Sequence, residues 1–310
     1  MGNDLGKELM KKKVRKQEQV DLRKRGITEL PTSVKQLLCK ELILAENDIA
    51  TIPEEVSKMA QCEVLDFGNN KINHLPACIG DMSQLRELWL RNNKLFFTAP
   101  ITPAIGKLKN LVKLDLSGNQ LEELPAELGQ CVQLAYLDVS NNNLQVFPPE
   151  FGRLSNLQVF NIAFNKLRAL PPEIGGLTAL HEWNLCTNAL TKLPAQIGNL
   201  RNLRTLDLSL NKLTQLPDEM GQLVLLETLT LKDNPTLPDL FPMEGLRVLK
   251  ILSVRNLQIS TLPSDLTDLV NITELDLRDN LQMGRLPREI GKMVNLKRLD
   301  LYGMNDYLIF

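Results

Sequence analysis

The residue types that most often carry chemistry in proteins are scarce in this sequence, and those present are not spaced for catalysis or metal binding. There are two histidines, His74 and His181, and Cys186 follows the second with no further ligand at the spacing typical of zinc sites. The sequence contains no phosphate-binding loop, dinucleotide fingerprint, serine nucleophile elbow or HExxH motif. We therefore predict a protein that is not an enzyme and that uses no cofactor and no metal.

Aspartate is the remaining candidate ligand, because it recurs at a fixed place along the chain, for example at Asp115 and Asp138. Ca²⁺ takes six to eight oxygen ligands that converge at about 2.3 to 2.6 Å, whereas copies on neighbouring strands form a row with one carboxylate about every 4.8 Å. The sequence therefore disfavours a calcium site. Two interpretations stay open: the aspartates form a solvated face, or they meet a cationic partner.

The aspartates belong to a repeat of the form LxxLxLxxNxL that runs through almost the whole chain. Nine of the twelve intervals between successive Asn positions are 23 residues, a period typical of leucine-rich repeats. The sequence therefore predicts an α/β fold, a leucine-rich repeat solenoid (horseshoe) with a parallel concave β-sheet, short helical or 3₁₀ convex segments and about 13 coils. The Asn positions are 25, 47, 70, 93, 119, 142, 165, 188, 211, 234, 257, 280 and 304.

Within one repeat, alternation along the strand predicts that Leu114 and Leu116 point into the core and that Asp115 points outward. Asn119 follows the strand, where its amide can satisfy turn amides of neighbouring coils and form a ladder. A single coil cannot bury its own leucines, so stacking must supply the core.

Three repeats have no asparagine at the ladder position. Arg25 and Met304 are near the ends of the array, where atypical capping repeats are expected. Leu257 is internal, and we expect Asn256 beside it to supply the amide from a shifted turn.

One interval, between Asn93 and Asn119, has 26 residues and contains the segment FFTAPITPAIG. The extra residues predict either a loop on the rim or convex side, or a protrusion that helps to hold a partner. Phe96 and Phe97 are expected to pack under it.

Partner specificity in such an array should lie in the outward strand positions, which differ between repeats. Trp89, flanked by Arg91 and two repeats from Tyr136, has the composition of an interface hot spot. We therefore predict a partner-binding "aromatic patch" formed by Trp89, Arg91, Asp115, Tyr136 and Asp138. A second "mixed-charge patch" is either another partner site or a solvated face, and consists of Arg255, Glu274, Asp276, Arg278, Arg298, Asp300 and Tyr302.

The N-terminus differs from the rest of the chain in charge. Residues 1–25 hold nine Lys or Arg against four Asp or Glu, a local charge of +5 in a protein of net charge −1. We predict a basic tail or capping helix over residues 1–18 and the repeat domain over 19–310. Gly2 is a candidate for N-myristoylation although Gly6 stands where Ser or Thr is usual, and the basic residues would supply a second membrane signal.

The composition favours a cytoplasmic protein, peripheral at the inner face of the plasma membrane if Gly2 is acylated. No apolar run is long enough for a transmembrane helix, and the N-terminus lacks a signal peptide. The overall charge balance does not suggest nucleic-acid binding. Three of the five cysteines, Cys39, Cys62 and Cys131, stand where other repeats have Leu, which predicts reduced core residues rather than disulfides.

The repeat pattern LxxLxLxxNxLxxLPxxIGxL over residues 15–303 resembles that of the intracellular Ras-group leucine-rich repeat family. The resemblance implies a scaffold that binds a small GTPase or a cytoskeletal or signalling regulator. Relatives that recruit protein phosphatase 1 use a basic-x-[VI]-x-[FW] motif, but here Ile162-Ala-Phe164 lacks the basic residue and lies in a predicted strand. Recruitment by that route is therefore not expected.

The last repeat departs from the family pattern, because LKRLDLYGMNDYLIF stops just after a strand. Three interpretations stay open. The array is a shortened form of a longer one, the final residues 307–310 fold back as a cap, or this end self-associates.

Overall fold

The computed structural model describes residues 18–96 and 101–304, with Glu289 described by its backbone alone. The chain groups into two compact units, the first ending at Leu144 and the second beginning at Gln145. Gly2, Phe97, residues 305–310 and all but the last residue of the predicted tail 1–18 lie outside the described residues.

The first unit is a stack of coils, each with a three-residue strand on one side and, in most coils, a five-residue 3₁₀ helix on the other. Successive strands are parallel and in register, so that Leu88 lies opposite Leu114. The strands are β1 Gln19–Asp21, β2 Glu41–Ile43, β3 Val64–Asp66, β4 Glu87–Trp89, β5 Lys113–Asp115 and β6 Tyr136–Asp138. The 3₁₀ helices are Thr32–Gln36, Glu54–Lys58, Ala77–Asp81, Pro103–Lys107 and Ala126–Gln130.

The second unit repeats the plan with seven parallel strands. The strands are β7 Val159–Asn161, β8 Glu182–Asn184, β9 Thr205–Asp207, β10 Thr228–Thr230, β11 Ile251–Ser253, β12 Glu274–Asp276 and β13 Arg298–Asp300. The 3₁₀ helices are Pro149–Arg153, Pro172–Gly176, Ala195–Asn199, Asp218–Gln222, Ser264–Asp268 and Arg288–Lys292. In the ranges described, no helix is long and apolar enough to cross a membrane.

The leucines of the repeat form the core of each unit, as the alternation predicts. Leu114 and Leu116 are both fully buried, while Lys113 and Ser117 on either side of them are half-buried. Cys39, Cys62 and Cys131 are buried and free, which confirms their prediction as core residues. Burial raises the pKa of the Cys62 thiol to about 12 and that of Cys39 to about 11, so both stay neutral.

The predicted asparagine ladder is present, and Asn211 shows how it works. Its side-chain amide nitrogen donates to the carbonyls of Leu185 and Leu208 at 3.0 Å and of Ser209 at 3.2 Å. Its side-chain oxygen accepts from the backbone N–H of Leu190 at 3.0 Å. One buried side chain thus satisfies backbone groups of two successive coils, which sets the turn after every such strand.

The ladder is interrupted at Leu257, and the expected replacement by Asn256 is wrong. Asn256 donates instead to the side chain of Asp233 at 3.0 Å. The cause lies in the preceding coil, where the N–H of Leu237 bonds to the carbonyl of Asn234 at 3.0 Å. That N–H is already satisfied within its own turn, so the next coil needs no asparagine side chain to accept it.

The same turn precedes the departure from the asparagine pattern at Met304. The N–H of Met283 bonds to the carbonyl of Asn280 at 3.1 Å, and the following ladder position holds Met304. Both turns have two residues between the asparagine and the next buried side chain, where other repeats have one. A buried residue three positions after the asparagine, Leu237 or Met283, in place of two positions therefore marks the coils whose successor lacks the asparagine.

The long interval is only partly described. Phe96 forms an isolated parallel bridge with Gln120 and is 38% exposed, and its packing under the insertion stays a prediction because residues 97–100 lie outside the described ranges. The chain re-enters the repeat at Thr102, whose hydroxyl accepts from the N–H of Ala104 and caps the following 3₁₀ helix. Whether the extra residues hold a partner stays a prediction.

Trp183 carries a buried donor with no acceptor among the described residues. Its ring stacks on Phe160 with centroids 6.1 Å apart, and its Nε1–H is unsatisfied. Trp183→Phe removes this donor at the expense of some packing, and the two effects oppose each other. We expect the free energy of unfolding to change by less than about 1 kcal/mol in urea denaturation. A loss of several kcal/mol would mean that the packing of the indole far outweighs the cost of its unsatisfied donor.

Candidate protein-binding site

The aromatic patch lies on the outward face of strands β4, β5 and β6 in the first unit. Trp89 faces away from the core, since its neighbours Leu88 and Leu90 are both fully buried. Its ring is 6.0 Å from the ring of Tyr136, centroid to centroid, with the planes tilted by 43°. The two aromatic residues are on alternate strands, so the pair spans β5 between them. Contact between the two rings was not predicted, although both residues were placed in one patch.

Polar groups hold the indole of Trp89 in place. Its Nε1–H donates to the Glu87 carboxylate at 3.2 Å, and the Arg91 guanidinium carbon lies 5.7 Å from the ring centroid. Arg91 is also 3.9 Å from the Asp66 carboxylate, and Lys113 is 3.0 Å from that of Glu87. Its neighbours therefore preorganise the half-buried ring. This reduces the side-chain conformational entropy that is lost when a partner binds.

Asp115 lies on β5 between the two aromatic strands and is only 5% exposed. The interpretation of the aspartates as a solvated face is therefore wrong at this position. Its carboxylate accepts from the backbone N–H of Ser117 at 2.9 Å and from the Ser117 hydroxyl at 2.6 Å. Burial raises the pKa of Asp115, and the neighbouring Asp138 raises it further.

The raised pKa of Asp115 predicts how its replacement changes stability with pH. A carboxyl whose pKa is higher in the folded state than in the unfolded state binds its proton more tightly when folded. The free energy of unfolding therefore falls as the pH rises from the unfolded-state pKa through the folded-state pKa. Asp115→Asn removes that loss. We expect the variant to unfold at a higher urea concentration than wild type at neutral pH, and the gain to disappear below about pH 3.8. Equal stability at neutral pH would contradict the burial of a charged carboxylate.

Tyr136 and Asp138 complete the patch on β6. Burial raises the pKa of Tyr136 to about 12, assisted by the charges of Asp138 and Asp115, so the phenol stays protonated. The phenol oxygen is 3.5 Å from the Asp138 carboxylate, which also accepts from the N–H of Ser140 at 2.8 Å.

The mixed-charge patch lies on β11 to β13 of the second unit, and its arginines are engaged in ion pairs. Arg278 bonds to both carboxylate oxygens of Asp276 at 2.8 Å, and Arg298 bonds to Glu274 at 3.0 Å and lies 3.9 Å from Asp300. The bond from Arg278 lowers the pKa of Asp276. Tyr302, beyond β13, is 83% exposed. This patch is thus a face of partially exposed ion pairs, each worth little to stability.

Three residues of the site were not singled out in the sequence: Asp66, Glu87 and Lys113. Each occupies an outward strand position beside the aromatic patch, and each forms an ion pair with a neighbouring coil. The register of the repeat was a sufficient signal, because it places Glu87 opposite Lys113 and Asp66 opposite Trp89. The histidines are remote from this patch in sequence and both are half-buried; in the described part of the chain no three metal-ligating side chains cluster.

Models of known protein families also find leucine-rich repeats in the chain. The model of a leucine-rich repeat region matches residues 126–209, and two leucine-rich repeat models match residues 39–95 and residues 110–131 and 202–223. With the parallel three-residue strands and the 3₁₀ helices of both units, these matches show that the chain is a leucine-rich repeat protein. Such repeats in general present binding surfaces to other proteins rather than catalytic groups.

Among characterised proteins, the chain resembles the leucine-rich repeat protein lrrA of Dictyostelium discoideum. The two are 52% identical over 61 residues, which is 20% of this chain and 12% of lrrA. The match therefore spans a small part of lrrA.

Solved structures with the same fold include bacterial and plant proteins. A leucine-rich repeat protein of Leptospira interrogans is 27% identical, with a TM-score of 0.65, and the match covers 100% of this chain and 94% of that one. The plant peptide hormone receptor RGFR1, solved in complex with RGF2, is 26% identical, with a TM-score of 0.76 and coverage of 93% and 51%. An internalin, InlF of Listeria monocytogenes, has a TM-score of 0.82 over 100% and 91% of the chains but is 21% identical, which supports the fold alone.

Proposed function

We propose that the chain is a non-catalytic scaffold that captures a protein partner on the aromatic patch. The observation that carries this proposal is the pair of Trp89 and Tyr136, held 6.0 Å apart on the outward face of a rigid strand array. Tryptophan, tyrosine and arginine dominate the binding energy of protein interfaces, and all three are present here within one patch. The leucine core and the asparagine ladder fix the strands that carry them.

The partner proposed is a small GTPase or a cytoskeletal or signalling regulator in the cytoplasm. The resemblance of the repeat pattern to the Ras-group family supports this class, and lrrA shares the leucine-rich repeats. RGFR1, which shares the fold at 26% identity, was solved with the ligand RGF2, and this supports the use of the fold for capture of a polypeptide. The site needs no bound cofactor for such a role, because preformed shape and aromatic contacts supply the affinity.

Truncation of both aromatic side chains is the direct test. In affinity purification from the native cell, Trp89→Ala/Tyr136→Ala should weaken capture of the main partner at least about thirtyfold, since each ring is expected to act as a hot spot. Both side chains lie outside the leucine core, so circular dichroism and the urea midpoint should stay close to those of wild type. Unchanged capture by a folded double variant would refute the aromatic patch as the binding site.

A matched control comes from the mixed-charge patch. Arg278→Ala/Tyr302→Ala likewise truncates two large outward side chains, here one arginine and one tyrosine, but in the second unit. This variant should capture the partner with wild-type affinity. If it loses the partner while the Trp89→Ala/Tyr136→Ala variant keeps it, the mixed-charge patch is the site.

An alternative function is that of a membrane-associated adaptor, favoured by the basic composition of residues 1–25. A single myristoyl chain at Gly2 binds membranes only marginally, and a cluster of basic residues would provide the second, electrostatic signal. That cluster consists of Lys11, Lys12, Lys13, Arg15 and Lys16. A Gly2→Ala variant tagged at the C-terminus separates the alternatives: a membrane fraction equal to that of wild type excludes acylation.

A further inference from the structure

We propose that the aromatic patch receives a lysine or arginine side chain from a basic segment of the protein partner. The alkyl part of that side chain would lie against the rings of Trp89 and Tyr136, and its charge would reach the carboxylate of Asp115 between them. This inference rests on the proposed function and specifies the chemistry of the partner that the same patch binds.

The first argument is the charge of the face around the rings. The outward positions of β3 to β6, taken with the residues two positions after each strand, hold four carboxylates and two cations. The carboxylates are Asp66, Glu87, Asp115 and Asp138, and the cations are Arg91 and Lys113. The surface therefore has an excess of two negative charges, and its other side chains are mostly aromatic or small. Such a surface attracts a positively charged partner.

The second argument is how those charges are paired. Arg91 lies 3.9 Å from Asp66, and Lys113 lies 3.0 Å from Glu87. Asp115 forms no ion pair with any residue in the described ranges, although it is nearly buried. Its hydrogen bonds come from Ser117, a neutral residue. A cation from the partner would give this carboxylate the positively charged neighbour that it lacks in the free protein. In a site with little water, that ion pair is strong.

The third argument is the chemistry of the rings themselves. Aromatic faces attract cations, and Trp89 already holds the guanidinium of Arg91 at 5.7 Å from its centroid. An indole and a phenol on the two strands that flank a carboxylate resemble the aromatic cages that recognise alkylammonium groups. An acidic segment would meet repulsion here, and a purely apolar one would leave Asp115 desolvated without compensation.

The mixed-charge patch provides an internal contrast. It holds three arginines and three carboxylates, and each of these carboxylates has a nitrogen of Arg278 or Arg298 within 4.0 Å, while Arg255 pairs with Asp279 at 2.8 Å. A cationic segment therefore finds an excess of carboxylates on the aromatic patch but not on this one.

Asparagine is the appropriate replacement for Asp115, because the chain already uses it at the same strand position. The side-chain oxygens of Asn161 and Asn184 accept from the backbone N–H two residues later, as that of Asp115 does. Asp115→Asn should therefore fold and keep the turn while removing the charge. The matched control is Asp207→Asn, at the equivalent position of β9, where the carboxylate also bonds to a serine two residues later.

The test is a selection of peptides from a fully randomised display library on the full-length chain and its variants. We expect peptides enriched in lysine or arginine on the wild type and equally on Asp207→Asn. On Asp115→Asn the affinity of those peptides should fall about tenfold or more, and on Trp89→Ala/Tyr136→Ala they should not be retained.

The other outcomes separate the two proposals. Enrichment of apolar or acidic peptides that still require Trp89 and Tyr136 would overturn the cation receptor and leave the proposed docking site intact. Lysine or arginine peptides that bind Asp115→Asn as well as wild type would also overturn it. A selection that yields no peptide dependent on Trp89 and Tyr136 would count against both proposals.

Discussion

Replacing Asn211 by leucine is expected to lower the free energy of unfolding by about 3 to 5 kcal/mol. Leucine fills nearly the same volume but has no polar atoms, so the carbonyls of Leu185, Leu208 and Ser209 lose a shared donor. The backbone N–H of Leu190 also loses its acceptor in a buried turn. Each unsatisfied buried group costs about 1 to 3 kcal/mol, and relaxation or water entry recovers part of the sum.

Two measurements check this expectation. Urea denaturation followed by circular dichroism gives the stability, and hydrogen exchange should show that the Leu190 amide loses its protection specifically. Asn202→Leu is the control, because Asn202 is exposed and donates a single bond to the Thr178 carbonyl. That variant should lose less than about 1 kcal/mol. Equal losses in both variants would show that the ladder does not stabilise the stack.

Replacing Gly245 by alanine is the second change expected to have a large effect. A methyl group at Gly245 would overlap the backbone carbonyl oxygen of Gly221 in the preceding coil. Backbone atoms cannot rotate away as a side chain can, so the two coils must separate where they pack most closely. We expect a loss of about 3 kcal/mol or more and a weakened contact between these coils.

Gly284→Ala is the matched control for this variant. A methyl group at Gly284 meets no atom within 4 Å, so the stability should stay within about 0.5 kcal/mol of wild type. Thermal unfolding of both variants, followed by circular dichroism, compares them directly. A Gly245→Ala protein as stable as Gly284→Ala would mean that the coils are not in close contact there.

Much of this fold could be predicted from the sequence because the same spacing of leucines and asparagine recurs in almost every coil. The alternation around Leu114 and Leu116 fixed which residues are buried, and the offset of Asn119 fixed the ladder. The failures concern single turns. The expectation for Asn256 missed that Asn-Pro-Thr-Leu at residues 234–237 closes its turn differently from the other repeats. Only the spacing to the next buried residue contains that information.

The site was less predictable than the fold, because it depends on side-chain directions across strands. The sequence placed Trp89 and Tyr136 on one outward face, but not the approach of their rings to 6.0 Å. Asp115 is only 5% exposed although it stands on a strand face, and the repeat pattern alone could not identify this aspartate as desolvated. The same column contains Asp207, which is half-buried, and the sequence alone does not distinguish the two.

Hydrogen exchange of the chain with its captured partner is the most direct test of outward strand residues as the docking surface. The partner should slow exchange in segments 87–91, 113–117 and 136–140, which carry the aromatic patch. The 3₁₀ helices on the other side of the same coils should exchange as in the free protein. Protection confined to those helices, or to residues 251–302 of the second unit, would contradict the account.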